Sequence, residues 1–115
     1  MATFSSIDSL QGYLKVVSDR QQLVTENMAN VDTPGYRTKD LNFQSELRNA
    51  MGDGAGSHLE QAVQEVSGLP ERPDGNNVNI DRESMMLSQT QLQYQLGVQL
   101  VKSQLHTLYS AIKDE

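Results

Sequence analysis

Apolar residues recur at three- and four-residue intervals along two stretches of the chain, one near each end. In the first, Ile7, Leu10, Leu14, Val17, Val24, Met28 and Val31 keep that spacing, with Gln21 as the one polar member of the register. A seam of this kind predicts an amphipathic helix from about Ser5 to Val31, packed against another helix. Ser5 with Asp8 three residues later suits a capping box at its start. Thr33-Pro34-Gly35 stops it, because the residue before proline disfavours helical backbone and glycine supplies a turn. The second stretch runs from about Asp81 to Lys113 through Leu87, Tyr94, Val98, Val101, Leu105, Leu108 and Ile112, with Gln91 as its polar exception. Asn79 or Asp81 can cap it, and Glu83 suits the electropositive first turn. A rival pattern lies inside it: Leu92, Tyr94, Leu96, Val98 and Leu100 alternate with Gln91, Gln93, Gln95, Gly97 and Gln99 as in a strand. The helix prevails because its register continues beyond the alternation on both sides, and Leu and Gln are good helix formers.

Between these stretches the pattern weakens. A short helix is expected over 41–51, with Phe43, Leu47 and Met51 on one face. Gly52-Asp-Gly-Ala-Gly-Ser57 has the composition of a flexible linker. His58 to Val66 is ambiguous; Leu59, Ala62, Val63 and Val66 fit a helical face over barely two turns. Gly68-Leu-Pro-Glu-Arg-Pro-Asp-Gly-Asn-Asn77 is turn-rich. The expected fold is all-α: an N-terminal helix and turn over 1–35, a variable, irregular and partly disordered middle over 36–79, and a C-terminal helix over 80–115.

Charge separates the two helices. Asp8, Lys15, Asp19, Arg20 and Glu26 mark a solvated face on the first, whereas Lys102 is the only charged side chain between Ser84 and Ile112. In place of charge the second helix carries Gln89, Gln91, Gln93, Gln95, Gln99 and Gln104, and a further apolar stripe of Met85, Leu92, Leu96 and Leu100. A helix apolar on two sides is poorly suited to the outside of a monomer. Glutamine both donates and accepts, so identical neighbours can bond without like-charge repulsion. Leu92, Leu96, Gly97 and Leu100 are therefore the expected assembly face, with Gly97 admitting a neighbouring helix. The plainer readings are a solvated Gln-rich coiled coil and an incidental glycine. On this reading the free subunit is at most marginally folded, and partners supply the missing stability.

Composition narrows the chemistry. The chain of 115 residues carries a net charge of −6 at pH 7, which disfavours a nucleic-acid partner, since phosphate binding needs a basic surface. There is no cysteine, hence no disulfide, thiolate chemistry or Cys-based zinc site. His58 and His106 lack partners at ligand spacing, and Asp74 to Asp81 departs from the EF-hand spacing of glycine and closing glutamate. No catalytic residue, cofactor, metal or small-molecule substrate is expected. The opening residues lack a basic and an apolar region, so no conventional signal peptide is expected, and no apolar run is long enough for a membrane span.

The strongest local feature is Asn27-Met-Ala-Asn-Val-Asp-Thr-Pro-Gly-Tyr36. Asn30 and Asp32 can bond nearby backbone, Pro34 stops the helix, Gly35 permits the turn, and Tyr36 offers a ring and a hydroxyl. The string, with Asn27, Ala29, Asn30, Thr33, Pro34, Gly35 and Tyr36, resembles the Ala-Asn-x-x-Thr-Pro-Gly-Tyr signature of bacterial flagellar rod, hook and hook-associated proteins. Arg37-Thr-Lys-Asp-Leu-Asn-Phe-Gln-Ser-Glu-Leu47, Asn77-Val-Asn-Ile-Asp-Arg-Glu83 and Leu92-Gln-Tyr-Gln-Leu-Gly-Val-Gln-Leu100 are similar to segments of the basal-body rod branch, whose short members lack the larger insertions of the distal rod and hook proteins.

That resemblance implies terminal helices paired antiparallel in a coiled-coil-like way and stacked with neighbouring subunits in a helical tube. It implies export through the flagellar type III apparatus without cleavage, and a place in the periplasm-spanning rod. The implied partners are other rod subunits and copies of the chain itself, the adaptor at the rod base, the membrane ring and the export gate. Phe43-x-x-x-Leu47 is similar to the apolar docking motif that early export substrates show to the gate; a core face of a short helix explains it equally well. Two other classes stay open from the residues alone. A soluble helical adaptor or export chaperone forming discrete coiled-coil dimers would want a charged outer face on the second helix, and a metal-dependent enzyme would want clustered ligands.

Overall fold

The computed structural model describes residues 2–51 and 62–113. Helix α1 spans Ala2–Ala29, strand β1 Lys39–Leu41, helix α2 Phe43–Met51, strand β2 Val63–Glu65 and helix α3 Ile80–Lys113. The two long helices run side by side in opposite directions: Asn27 near the end of α1 meets Glu83 near the start of α3, and Leu14 packs on Gly97. The molecule is accordingly elongated, 67 × 26 × 18 Å. No helix among the described residues is long and apolar enough to cross a membrane.

Helix ends differ in detail from the periodicity. α1 begins at Ala2, so Ser5 lies within the helix and not at its expected start. It stops at Ala29, so Val31 falls in the following turn, where Asn30 and Val31 donate back to the carbonyls of Glu26, Asn27 and Met28. Asn79 is the cap of α3; its side-chain oxygen accepts from the Arg82 N–H at 3.0 Å. Asn42 does the same for α2 through the Ser45 N–H at 3.1 Å. Residues 91–100 are helical, not extended.

The described part of the middle is more regular than its composition suggests. β1 and β2 pair antiparallel, Lys39 opposite Glu65, Asp40 opposite Gln64 and Leu41 opposite Val63. Val66 N–H to Thr38 C=O at 2.9 Å continues the ladder. The expected linker Gly52–Ser57 and His58 to Gln61 lie outside the described residues; of the ambiguous stretch 62–66 is described, with 63–65 as strand.

α1 buries two adjoining faces. Val17 and Val24 share the register of Leu14, which faces α3, whereas Val16 and Leu23 pack with Leu41 on the other side, joined by Phe43, Ala50 and Val63. Gly12 allows this second contact. A Cβ there would lie 2.7 Å from the Ala50 backbone oxygen at the back of α2.

A Gly→Ala change inside a helix ordinarily gains about 1 kcal/mol from propensity. Gly12→Ala is expected to reverse that sign and lower the thermal midpoint read by circular dichroism, because backbone has to move to admit the methyl. Gly97→Ala, whose nearest obstacle is the flexible tip of Leu14, is expected to be milder. A higher midpoint for Gly12→Ala would show that α2 does not sit against α1 in this way.

Candidate functional site

The string from Asn27 to Tyr36 is a clasp, built almost wholly of internal hydrogen bonds. Asn27 is fully buried. Its Nδ2 donates to Lys39 C=O at 2.8 Å and to Glu83 Oε1 at 2.6 Å; its Oδ1 accepts from the Tyr36 hydroxyl at 3.1 Å and the Lys39 N–H at 3.0 Å. One carboxamide thus uses both donors and both acceptor positions, joining α1, the turn, β1 and α3. Within the turn, Thr33 Oγ1 donates to Asn30 Oδ1 at 3.0 Å, and Asn30 Nδ2 closes back on Glu26 C=O at 2.8 Å. Gly35 has φ +75°, and its N–H donates to Asp74 C=O at 2.8 Å. Ala29 and Pro34 are exposed at the helix end and the turn.

The partner of this turn is the Arg72–Asn79 loop, read from sequence only as turn-rich. Asn76 and Asn77 are buried. Asn76 Nδ2 donates to the carbonyls of Asn30 and Thr33 at 2.9 and 2.8 Å, and Asn77 Oδ1 accepts from Thr38 N–H at 2.6 Å. Gly75 has φ +87°, and a Cβ on it would stand 3.3 Å from the Gly35 Cα, so the loop passes close against the turn there. Asp74 is held below the ordinary carboxylate range, chiefly by the Asn76 N–H, with Arg72 adding to it against some desolvation.

Behind Asn27 lies a charged chain. Glu83 is fully buried and accepts from Arg82; Arg82 reaches Asp40 at 2.8 Å; and Arg20 holds Asp40 through two bonds of 3.1 and 3.0 Å. Two guanidinium groups balance two carboxylates, the condition under which buried charge is tolerated. Burial alone would push the Arg82 pKa down, but the hydrogen bonds and charges of Glu83 and Asp40 outweigh it and raise it. The Tyr36 phenol is pushed up by burial and then by the negative charges of Glu26 and Glu83.

The helix-packing residues fall on both sides of the true contact. Val17 and Val24 are buried; Ile7, Leu10, Leu14, Met28, Leu87, Val98, Val101 and Leu108 are half-buried; Tyr94, Leu105 and Ile112 are exposed. α3 is rolled relative to the expected seam. Its buried residues are Glu83, Met86, Thr90 and Gly97, so the line of Glu83, Thr90, Gly97 and half-buried Gln104, seven residues apart, replaces that of Gln91, Val98, Leu105 and Ile112. Gly97 therefore does not belong with the outer face. A Cβ on it would meet Leu14 Cδ2 at 2.5 Å and Tyr13 Cδ2 at 3.2 Å, and its lack of a side chain brings α1 in close. The two polar exceptions of the heptads, Gln21 and Gln91, line one shallow groove with Tyr94 and Gln95.

Leu92, Leu96 and Leu100 lie outward, the first two 67% and 56% exposed, and Met85 extends the stripe toward the start of α3. Phe43 is committed to the fold: it packs on the Val16–Leu23–Leu41 cluster, meets Tyr13 edge-on at 6.3 Å and lies under the Arg20 guanidinium at 5.5 Å. Leu47 is half-buried one turn on. His106 is exposed on α3, His58 lies outside the described residues, and no group of three or more metal-binding side chains forms among the described residues.

Removing the Tyr36 hydroxyl in Tyr36→Phe is expected to cost about 1 kcal/mol in urea unfolding near neutral pH. Because its folded pKa is raised above 10.0, the Tyr36 contribution is fully present below that value and lost as pH rises through the folded pKa. The parent should therefore lose more stability than Tyr36→Phe between neutral and strongly alkaline pH; equal losses would place the phenol in solvent.

No protein-family model matches the chain. The flagellar basal body rod protein FlgB of Salmonella typhimurium is 31% identical, over 90% of this chain and 89% of its own length. The FlgB proteins of Borrelia hermsii and Aeromonas hydrophila are 33% and 32% identical, over 79% and 89% of this chain. At that identity over most of its length, the chain belongs to the FlgB family of flagellar basal body rod proteins.

Proposed function

We propose that this protein is a non-enzymatic structural subunit of the bacterial flagellar basal-body rod, exported by the flagellar type III system and polymerised through its terminal helices. Membership in a family of rod proteins supports the structural role. The observation that carries the assembly part is the outer face of α3. Leu92, Leu96 and Leu100 stand exposed on a helix with one charged side chain between Ser84 and Ile112. Leu105, Tyr109 and Ile112 add a second exposed apolar patch along its last turns. Covering what each such residue still exposes against a neighbour is worth about 1 kcal/mol or somewhat more, while the glutamines between them bond to whatever they meet.

The neighbours on this reading are other rod subunits and further copies of the chain, the adaptor at the rod base, the membrane ring and the export gate, in the periplasm-spanning part of the flagellum. The dimeric-adaptor alternative wants a charged outer face, which α3 does not have. Phe43 and Leu47 can meet the gate only before folding or after unfolding, since Phe43 is engaged with the core in the folded chain.

Leu96→Asp tests the reading. The side chain is exposed, so the helical circular dichroism of the purified subunit should match the parent, while a carboxylate placed in a buried subunit contact costs several kcal/mol, on the order of 3–5. Cells carrying the variant in place of the parent are expected to make the protein and to lose swimming. Normal swimming would overturn the assembly face.

A further inference from the structure

α3 has two faces that could pack on α1. Both contain Leu87, Val101 and Leu108. The face in use adds Glu83, Met86, Thr90, Gly97 and Gln104; the other face would add Gln91, Leu105 and Ile112 and bury the half-buried Val98 further. By apolar content alone the second is the better seam, yet Leu105 is 49% and Ile112 66% exposed. Something other than hydrophobic burial sets the roll of this helix.

We infer that the Asn27–Glu83 contact, backed by Arg82 and Asp40, sets the rotational position of α3 against α1 and thereby keeps Leu105, Tyr109 and Ile112 turned outward. Glu83 has no exposed surface, and its two oxygens are taken by Asn27 and Arg82. Rolling α3 to bring Val98 and Leu105 inward swings that carboxylate away from Asn27 and pulls Arg82 off Asp40. Asn27 is then left with an unpaired buried donor and Asp40 with one guanidinium in place of two. Apolar packing tolerates a range of rotations, whereas a hydrogen-bonded carboxylate 2.6 Å from its donor does not. This is the use of a buried polar group best attested in helix pairs: it selects one arrangement among several of similar apolar burial. Gly97, four turns along, follows the same setting by opening space for Leu14 and Tyr13. The roll itself stands on the subunit alone; its value for assembly rests on the function proposed above.

The chain has no cysteine, so an introduced pair reports the roll without competition. Leu14 Cγ, one bond from Cβ, lies 3.2 Å from where a Cβ on Gly97 would stand. In the full chain, Leu14→Cys with Gly97→Cys should therefore oxidise faster than Leu14→Cys with Val98→Cys, by ~10-fold or more, because disulfide closure demands a narrow Cβ separation. In Glu83→Leu and in Asn27→Ala the preference is expected to shrink or invert, while Glu83→Gln, which keeps an acceptor for Asn27, should retain most of it. An unchanged preference in a Glu83→Leu or Asn27→Ala background that stays helical by circular dichroism overturns the inference. Loss of helicity in both overturns it too, since the cluster would then hold the fold and not the roll. Swimming separates this from the assembly reading: a changed roll with normal swimming strikes the assembly face, and an unchanged roll strikes the clasp whatever the cells do.

Discussion

Asn27 is where the two ends of the chain become one structure. Its carboxamide spends two donors and two acceptors on Lys39, Glu83 and Tyr36, so the end of α1, the following turn, β1 and the start of α3 meet at a single side chain. The residues around it are as buried as the apolar core but polar: Thr38, Asn76, Asn77 and Glu83 beside Val17, Val24 and Leu41. Desolvating such groups is costly unless every one is paired, and here the pairing is nearly complete. Truncating Asn27 would leave a buried carboxylate, a hydroxyl and two backbone groups short of partners together. The motif is therefore better understood as a joint than as a contact surface.

A joint of this kind suits a chain with few aromatics and no disulfide. Between two long, thinly packed helices, hydrophobic burial is spread along the length and does little to choose register or rotation. Directional bonds at one end do choose. From the clasp the helices run on as a pair in a molecule 67 Å long. Gly12 and Gly97 mark where α1 is approached most closely, by α2 on one side and α3 on the other. β1 and α2 close over the face of α1 that the end-to-end heptad leaves out, through Leu41 and Phe43 on Val16 and Leu23.

Much of this was legible in the amino-acid pattern, and the parts that were not share a cause. The two long helices, the turn through Thr33-Pro34-Gly35 after the first of them and the outward stripe of Leu92, Leu96 and Leu100 follow from local spacing and composition. The strands did not, because three residues carry too little alternation to register, and Lys39 and Glu65 lie 26 positions apart with nothing in the local pattern to pair them. The roll of α3 was missed because a hydrophobic count favours Val98, Leu105 and Ile112 over Thr90 and Gly97; it cannot weigh a glutamate whose partner sits 56 residues away. Asn76 and Asn77 carry the same lesson. Asparagine beside glycine reads as a loop, and it is one, yet both side chains are buried as bridges to the other end of the chain.

The exposed leucines of α3 and the polar joint are two consequences of one distribution of residues. If the uncharged face of α3 were satisfied within the subunit, little apolar would remain for neighbours; because Glu83, Thr90 and Gly97 occupy inner positions, Leu92, Leu96, Leu105 and Ile112 face out. The subunit is then left with a modest internal core, and any neighbour that covers the outer face stabilises the folded form by mass action. The same economy makes the chain cheap to open. The clasp's polar groups, once separated, recover hydrogen bonds from water, so each adds only about 1 kcal/mol net to the stability that unfolding forfeits. On the proposed route, in which the chain travels unfolded and gains its final stability from the rod, both properties are advantages. A larger apolar core would serve the isolated subunit and hinder its transport.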